Sequence, residues 1–159
     1  MMLFAMIMMA AAAHGRARPQ LDACRLLTKA DVASVQGQPF TDTKLSVRGA
    51  SSTTCFYQLP AFTQSVSVDL MRTGGREFWE EHFEDEHRGE AGDPDEKVSP
   101  PLKVPGLGRE AFWVGSTVAG SLYVRKGDSL LRVSVCGAGG DKEKIERSKR
   151  LALKALKRM

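Results

Sequence analysis

The chain has 159 residues, of which 42% are hydrophobic and 26% are charged, and its formal net charge is +4. These values are typical of a single globular domain and exclude a chain that is disordered throughout. A domain of about 140 residues buries roughly two thirds of its unfolded surface, which is enough for one sizeable core.

The chain begins with an apolar run, Met1 to Ala13, that carries no charge. A bilayer-spanning helix needs about 20 apolar residues, so this run is too short to be one. It is followed by small residues, and together they predict a signal peptide over residues 1–17 and a single domain over residues 18–159. No Lys or Arg precedes the run, and the alternative is a buried N-terminal strand or helix. The predicted localisation is periplasmic or secreted.

The first half of the domain reads as a helix, three strands and a second helix. Residues 26–37 predict the first helix, with Thr28 as its cap, Asp31 as the capping-box acid and Gly37 as its stop. The strand signals cover residues 43–47, 55–59 and 65–71, of which the third alternates most regularly.

The second helix is predicted over residues 76–87 from aromatic side chains at helical spacing. Its predicted apolar face consists of Phe78, Trp79, His82 and Phe83. A long surface loop rich in Gly and Pro is expected over residues 89–105.

The second half of the domain predicts three strands, over residues 110–115, 122–125 and 129–136, with a turn at Gly127-Asp128. A last helix is predicted to run close to Met159, with Asp141 as its cap. Its predicted apolar stripe is Ile145, Ser148, Ala152, Leu156 and Met159.

The resulting order is α-βββ-α-βββ-α, without the alternation typical of a parallel sheet. It predicts an α+β fold with an antiparallel sheet of about five to six strands and helices packed on one face.

The charge is distributed in two opposite blocks. Residues 77–96 contain ten acids and one Arg, whereas residues 141–159 contain eight Lys or Arg and three acids. A basic helix can contact anionic membranes or nucleic acid, but the last helix lacks Trp and Phe for membrane insertion. We interpret the basic block as the solvated face of a docked helix. We expect no nucleic acid partner and no membrane contact beyond the signal segment.

Three cysteines are present, Cys24, Cys55 and Cys136. In an exported protein two of them are expected to pair. Three pairings are possible, and the residues alone leave the choice open.

The motifs that suggest catalysis or a cofactor are weak. His82, Glu86 and His87 lack the spacing of a zinc protease, so no metal site is predicted. The stretch 106–111 matches a dinucleotide-binding string, but a strand-like segment follows it instead of a helix, and a turn is predicted there. No catalytic residue and no cofactor are predicted.

Several short motifs carry a resemblance to a known group of proteins. They are Asp22-x-Cys24-x-Leu26-Leu27-Thr28, Cys55-x-Tyr57 and Val104-x-Gly106-Leu107-Gly108-x-x-Ala111-x-Trp113. This layout resembles a group of uncharacterised bacterial secreted proteins and lipoproteins, classed as a domain of unknown function. The resemblance implies an extracytoplasmic α+β domain and a disulfide between Cys24 and Cys55, and it implies no activity. Unlike the lipoproteins, this chain has no lipidation cysteine after the signal segment.

These observations predict an exported, non-enzymatic module that binds a small ligand or a protein partner. The alternative is a metal-dependent or other hydrolase that uses His82 and neighbouring acids, and an accessory subunit of an envelope complex remains open. Aromatic side chains are the candidates for a pocket lining, although a core role is favoured for them. They are Phe56, Tyr57, Phe78, Trp79, Phe83, Phe112 and Trp113.

Overall fold

The fold is that of a computed structural model, which describes residues 22–84, 100–115 and 120–159. Within these ranges the chain forms three α-helices and seven strands. In chain order they are α1 (Lys29–Gln36), β1 (Asp42–Arg48), β2 (Ser52–Gln58), β3 (Val66–Met71), α2 (Gly75–Trp79), β4 (Leu102–Lys103), β5 (Glu110–Gly115), β6 (Gly120–Lys126), β7 (Ser129–Val135) and α3 (Asp141–Leu156). Short 3-10 helices lie at Ala23–Arg25 and Phe62–Gln64, and a π-helical turn at Glu80–Glu84 continues α2. The predicted signal peptide, residues 1–17, lies outside the described residues.

The seven strands form one antiparallel sheet in the order β1-β2-β3-β7-β6-β5-β4. The predicted α+β class is confirmed, but the predicted count of five to six strands is too low. The additional strand is β4, which pairs Leu102 with Trp113 inside the segment predicted as a loop. Because β4 has two residues between Pro101 and Pro105, it is too short to show an alternating pattern. The element order is therefore α-βββ-α-ββββ-α.

One face of the sheet carries the main core beneath α1 and α3. Alternate residues of β3 (Val66, Val68 and Leu70) point into it, as the pattern predicts. The Thr28–Asp31 capping box starts α1, and the left-handed Gly37 ends it. These features follow directly from the sequence.

Helix α3 differs from its prediction in detail. Gly140 is the N-cap and Asp141 lies in the first turn. There the negative charge of its carboxylate interacts favourably with the positive end of the helix dipole. Leu151 and Ala155 are completely buried, although neither belonged to the predicted stripe. Of the predicted stripe, Ser148 and Ala152 are also completely buried, whereas Ile145, Leu156 and Met159 lie at the border of the contact and are partly buried.

Helix α2 packs on the opposite face of the sheet, so the prediction that the helices share one face is wrong for this helix. Its start is fixed to the β6–β7 turn, because Gly75 donates its N–H to the Asp128 carbonyl at 2.9 Å. The Asp128 carboxylate also accepts from the backbone N–H groups of Gly74 and Arg76, and these bonds lower its pKa. A Cβ at Gly75 would lie 2.7 Å from the Asp128 carbonyl oxygen, so this approach requires glycine.

The N-terminal segment is fixed to the sheet by a disulfide and a buried tyrosine. Cys24 and Cys55 are bonded, as the resemblance implies, with their Cα atoms 4.9 Å apart. The Tyr57 hydroxyl donates to the Ala23 carbonyl at 2.7 Å and accepts from the Leu27 N–H at 3.3 Å. Burial raises the pKa of Tyr57, which therefore stays neutral and keeps its proton for this bond.

Asp31 connects α1 to the C-terminal end of α3. Its carboxylate accepts from the Thr28 N–H at 2.9 Å and faces Lys154 at 3.3 Å and Arg158 at 2.8 Å. Burial alone would raise the pKa of Asp31, but the hydrogen bonds of Thr28, Lys154 and Arg158 outweigh burial and bring it to about 2.

Because the folded pKa lies below the ordinary value of 3.8, the stabilisation by Asp31 is present at neutral pH and is lost as the pH falls from about 4 to 2. We expect Asp31→Asn to lower the free energy of unfolding by about 2 kcal/mol at pH 7 and by much less at pH 2. Urea unfolding of both proteins across this range measures the difference. A difference that is equal at every pH would show that the carboxylate charge is not the cause.

Candidate functional site

The face of the sheet opposite α1 and α3 is only partly covered by α2. An aromatic and aliphatic cluster fills the covered part: Trp79, Phe83 and Leu130 are buried in it, with Phe112 and Tyr123 packed against them. The rest of this face, across the middle strands, carries polar side chains that no other part of residues 22–84, 100–115 and 120–159 covers. The polar side chains of this part of the sheet are therefore available to bind a ligand.

A row of polar side chains crosses the open face in register. Strand pairing places Thr54 opposite Asp69 and Asp69 opposite Arg132. The Thr54 hydroxyl donates to Asp69 Oδ1, and Arg132 Nη1 lies 3.6 Å from Asp69 Oδ2. Arg132 Nε donates to Ser121 Oγ at 3.1 Å, and Ser121 Oγ lies 2.7 Å from Ser134 Oγ. The row is therefore a connected network that spans four strands.

A wall of nearly parallel rings stands beside this row. The rings of His82 and Phe78 stack with centroids 3.9 Å apart and an interplanar angle of 12°. Phe78 stacks in turn on Tyr123 at 6.1 Å and 19°. The Arg132 guanidinium lies over the opposite end of this column, 5.6 Å from the Tyr123 ring centroid.

The ring wall and the polar row border a half-open cleft of about 550 Å³. This volume falls within the range of small-molecule sites, roughly 300–1,000 Å³. Met71 and Leu130 are its apolar members apart from the rings. The cleft is lined by Arg48, Ser52, Thr54, Asp69, Met71, Phe78, His82, Tyr123, Leu130 and Arg132.

Of the residues considered for catalysis, His82 lies in the cleft wall. Its Nδ1 lies 2.9 Å from the Phe78 carbonyl oxygen, and its nearest described acid is Glu81, at 3.8 Å on the exposed side. Glu86 and His87 lie outside the described residues. Across residues 22–84, 100–115 and 120–159, no three His, Cys, Asp or Glu side chains converge as metal ligands would.

The glycine string at 106–111 forms a turn that leads into β5. Gly106 and Gly108 adopt positive φ angles of 83° and 52°, which glycine tolerates without strain. A Cβ at Gly108 would lie 2.5 Å from the Arg125 carbonyl oxygen. A strand follows the turn, so the helix N-terminus that would bind a pyrophosphate is absent at this point.

The candidate pocket aromatics separate into three groups. Phe78 lines the cleft, and Trp79, Phe83 and Phe112 support it from behind. Tyr57 and Trp113 belong to the core on the other face. Phe56 contacts the exposed Phe62 ring at 5.7 Å.

Sequence reasoning missed most of the cleft, including Arg48, Thr54, Asp69 and Arg132. In the sequence these residues are recognisable only as the polar positions of alternating strands. Such positions are predicted to be exposed, but the pattern does not predict which strands are neighbours in the sheet. Strands β3 and β7 are far apart in the chain and adjacent in the sheet. The Asp69–Arg132 pair can therefore be recognised only when the strand order is known.

The motif residues that carry the resemblance are structural in this fold. Asp22 caps the 3-10 helix by accepting from the Cys24 N–H at 2.7 Å, and Cys24 is bonded to Cys55. Leu26, Leu27, Val104, Leu107, Ala111 and Trp113 are all core residues. These motif residues therefore build the scaffold, and the cleft lies on the other face of the sheet.

A comparison with protein-family models gives no match, and a comparison with curated proteins gives none either. Among solved structures, the chain is similar to a GTP binding regulator from Thermotoga maritima, with 12% sequence identity and a TM-score of 0.43. The similarity covers 81% of this chain and 87% of that chain.

Proposed function

We propose that this protein is an exported module, periplasmic or secreted, that binds a small ligand in the cleft on the open face of its sheet. The observation that carries the proposal is the cleft itself. It combines a connected polar row, a stack of rings and two arginines in a volume that suits a small molecule.

Export is supported by the Cys24–Cys55 disulfide, because structural disulfides persist in oxidising compartments and are rare in the cytosol. The uncharged apolar run at the start of the chain points the same way. Membership of the secreted family that the motifs resemble is part of this proposal, and it is supported by the structural positions of the motif residues. Each helix in the described part of the chain is too short or too polar to cross a bilayer.

Binding, and not turnover, fits the chemistry of the cleft best. The Asp69 carboxylate is engaged through Oδ1 by Thr54 and faces Arg132 through Oδ2, which suits a fixed anion more than a proton-transfer group. The Nδ1 atom of His82 lies against the Phe78 carbonyl, while Glu81 is on the exposed side. We therefore favour a binding module over a hydrolase based on His82.

A substitution that fills the cleft tests the proposal. Ser52 lines the cleft, and phenylalanine is well tolerated in strands. We expect Ser52→Phe to weaken binding of the planar probe 2-naphthol by about tenfold or more, because loss of about 1.4 kcal/mol of contacts has this effect. The measurement is a titration of the labelled protein by NMR.

Gln58→Phe is the matched control, because Gln58 lies on the same strand and the same face as Ser52 but outside the cleft. It should leave probe affinity unchanged. If both variants bind 2-naphthol as the wild type does, the cleft is not the site at which the ligand binds.

A further inference from the structure

We propose that the ligand of this cleft is an anion with a flat apolar body, whose acid group pairs with Arg132 and Arg48 while the body lies against the ring wall. This inference rests on the proposed function, because it names the chemical class of the ligand for the same cleft.

The charges of the cleft favour an anion. Its lining contains two arginines, Arg48 and Arg132, and one carboxylate, Asp69. Asp69 faces Arg132, and no described Asp or Glu lies close enough to Arg48 to form an ion pair with it. The described lining therefore has one positive charge in excess even when His82 is neutral. An acid group on a ligand would compensate it.

The geometry of Arg132 suits recognition of an acid group. Its plane is held by the Nε bond to Ser121 and by the Tyr123 ring beneath it. Nη1 lies 3.6 Å from Asp69, which is longer than a hydrogen bond, and no described residue accepts a hydrogen bond from Nη2. The guanidinium is thus oriented by its neighbours while part of its donor set is unused. Such a fork binds a carboxylate or phosphate through two parallel bonds.

The rest of the cleft indicates the body of the ligand. The Phe78 and Tyr123 rings and the side chains of Met71 and Leu130 offer apolar contact that an inorganic ion would not use. Flat rings stack favourably against aromatic faces, and this attraction adds to the gain from burial. An aromatic or similarly planar acid uses both halves of the cleft.

A cationic ligand fits the same cleft poorly. Asp69, the one described carboxylate in the lining, is already engaged by Thr54 and faces Arg132. A cation in the cleft would also meet the net positive charge of its described lining, and like charges at close range repel each other.

Three probes with one scaffold separate these classes: 2-naphthoate, 2-naphthamide and 2-naphthylmethylammonium. We expect 2-naphthoate to bind at least about tenfold more tightly than 2-naphthamide, because hydrogen bonds between charged groups are about twice as strong as neutral ones. Isothermal titration calorimetry or NMR titration measures each affinity.

Substitution of the arginines assigns the effect to the cleft. We expect Arg132→Gln to remove most of the preference for 2-naphthoate, Arg132→Lys to keep part of it, and Arg48→Gln to reduce it about threefold, since the exposed Arg48 is more strongly screened. Affinity for 2-naphthamide should fall less than affinity for 2-naphthoate in all three, because the amide loses only a neutral hydrogen bond. Arg25→Gln is the matched control, because it removes the same charge from an exposed position on the 3-10 helix outside the cleft.

The outcomes distinguish this inference from the proposed function. Equal affinity for 2-naphthoate and 2-naphthamide, or tighter binding of 2-naphthylmethylammonium, would overturn the anionic ligand while binding in the cleft still stands. A preference for 2-naphthoate that survives Arg132→Gln would overturn the role of Arg132. Failure of all three probes and of 2-naphthol to bind would remove the proposed function, and this inference with it.

Discussion

Replacing both Cys24 and Cys55 with alanine is expected to lower the free energy of unfolding by about 3–4 kcal/mol. The disulfide joins residues separated by 31 positions, and the loss of chain entropy in the unfolded state for such a loop corresponds to about 3.7 kcal/mol. It also fixes the 3-10 helix Ala23–Arg25 to β2, where Cys55 is completely buried. Urea unfolding of the oxidised wild type and of the double variant measures the loss.

Cys136→Ser is the control for the disulfide variant. Cys136 is unpaired and half-buried, so its replacement removes no cross-link. We expect a change below about 1 kcal/mol, typical of a partly exposed position. Reduced wild type should unfold like the double variant, and a double variant as stable as the oxidised wild type would contradict the role given to the bond.

Trp79→Ala is expected to cost about 3–5 kcal/mol and to abolish probe binding in the cleft. Trp79 is completely buried and packs on Phe83 at 4.7 Å and Phe112 at 5.3 Å, so alanine leaves a large cavity. Because α2 carries Phe78 and the π-helical turn that continues it carries His82, loosening this helix removes the ring wall. Thermal unfolding and titration with 2-naphthol, below the unfolding midpoint of the variant, measure the two effects.

Phe62→Ala is the comparison for Trp79. Phe62 is 67% exposed and contacts Phe56, so its loss should cost well under 1 kcal/mol and leave probe affinity unchanged. If Trp79→Ala keeps full affinity for the probe, α2 does not form the wall of the binding site.

The parts of the fold that follow from local rules were predicted from the sequence. The Thr28–Asp31 capping box, the stop at Gly37 and the hairpin turn at Gly127-Asp128 depend on residues close together in the chain. The alternation of β3 likewise predicted which side chains enter the core. Each of these features depends on the conformational preferences of residues only a few positions apart, so the sequence alone predicts it.

The parts that depend on tertiary contact were not predicted. Strand β4 exists because Leu102 and Lys103 pair with β5, and two residues carry no periodicity. The face on which α2 packs is fixed by the contact between Gly75 and Asp128, 53 positions apart. A helical pattern shows that one side is apolar, but it does not show which surface that side meets.

In the candidate site, too, the features set by local sequence were predicted and those set by tertiary contacts were not. His82 and Phe78 were singled out from their spacing, and both line the cleft. Their partners across the cleft come from β2, β3 and β7, which become neighbours only in the sheet. Asp69 and Arg132 each occupy the polar side of an alternating strand, where the pattern indicates no more than exposure.

The most direct test of the binding site is to locate a bound probe. Intermolecular NOEs between 2-naphthoate and the protein would report which side chains touch it. We expect NOEs to the Met71 and Leu130 methyl groups and to the Phe78 and Tyr123 rings, with none to the residues packed beneath α3. NOEs confined to α3, or to the other face of the sheet, would contradict the assignment of the open-face cleft as the ligand site.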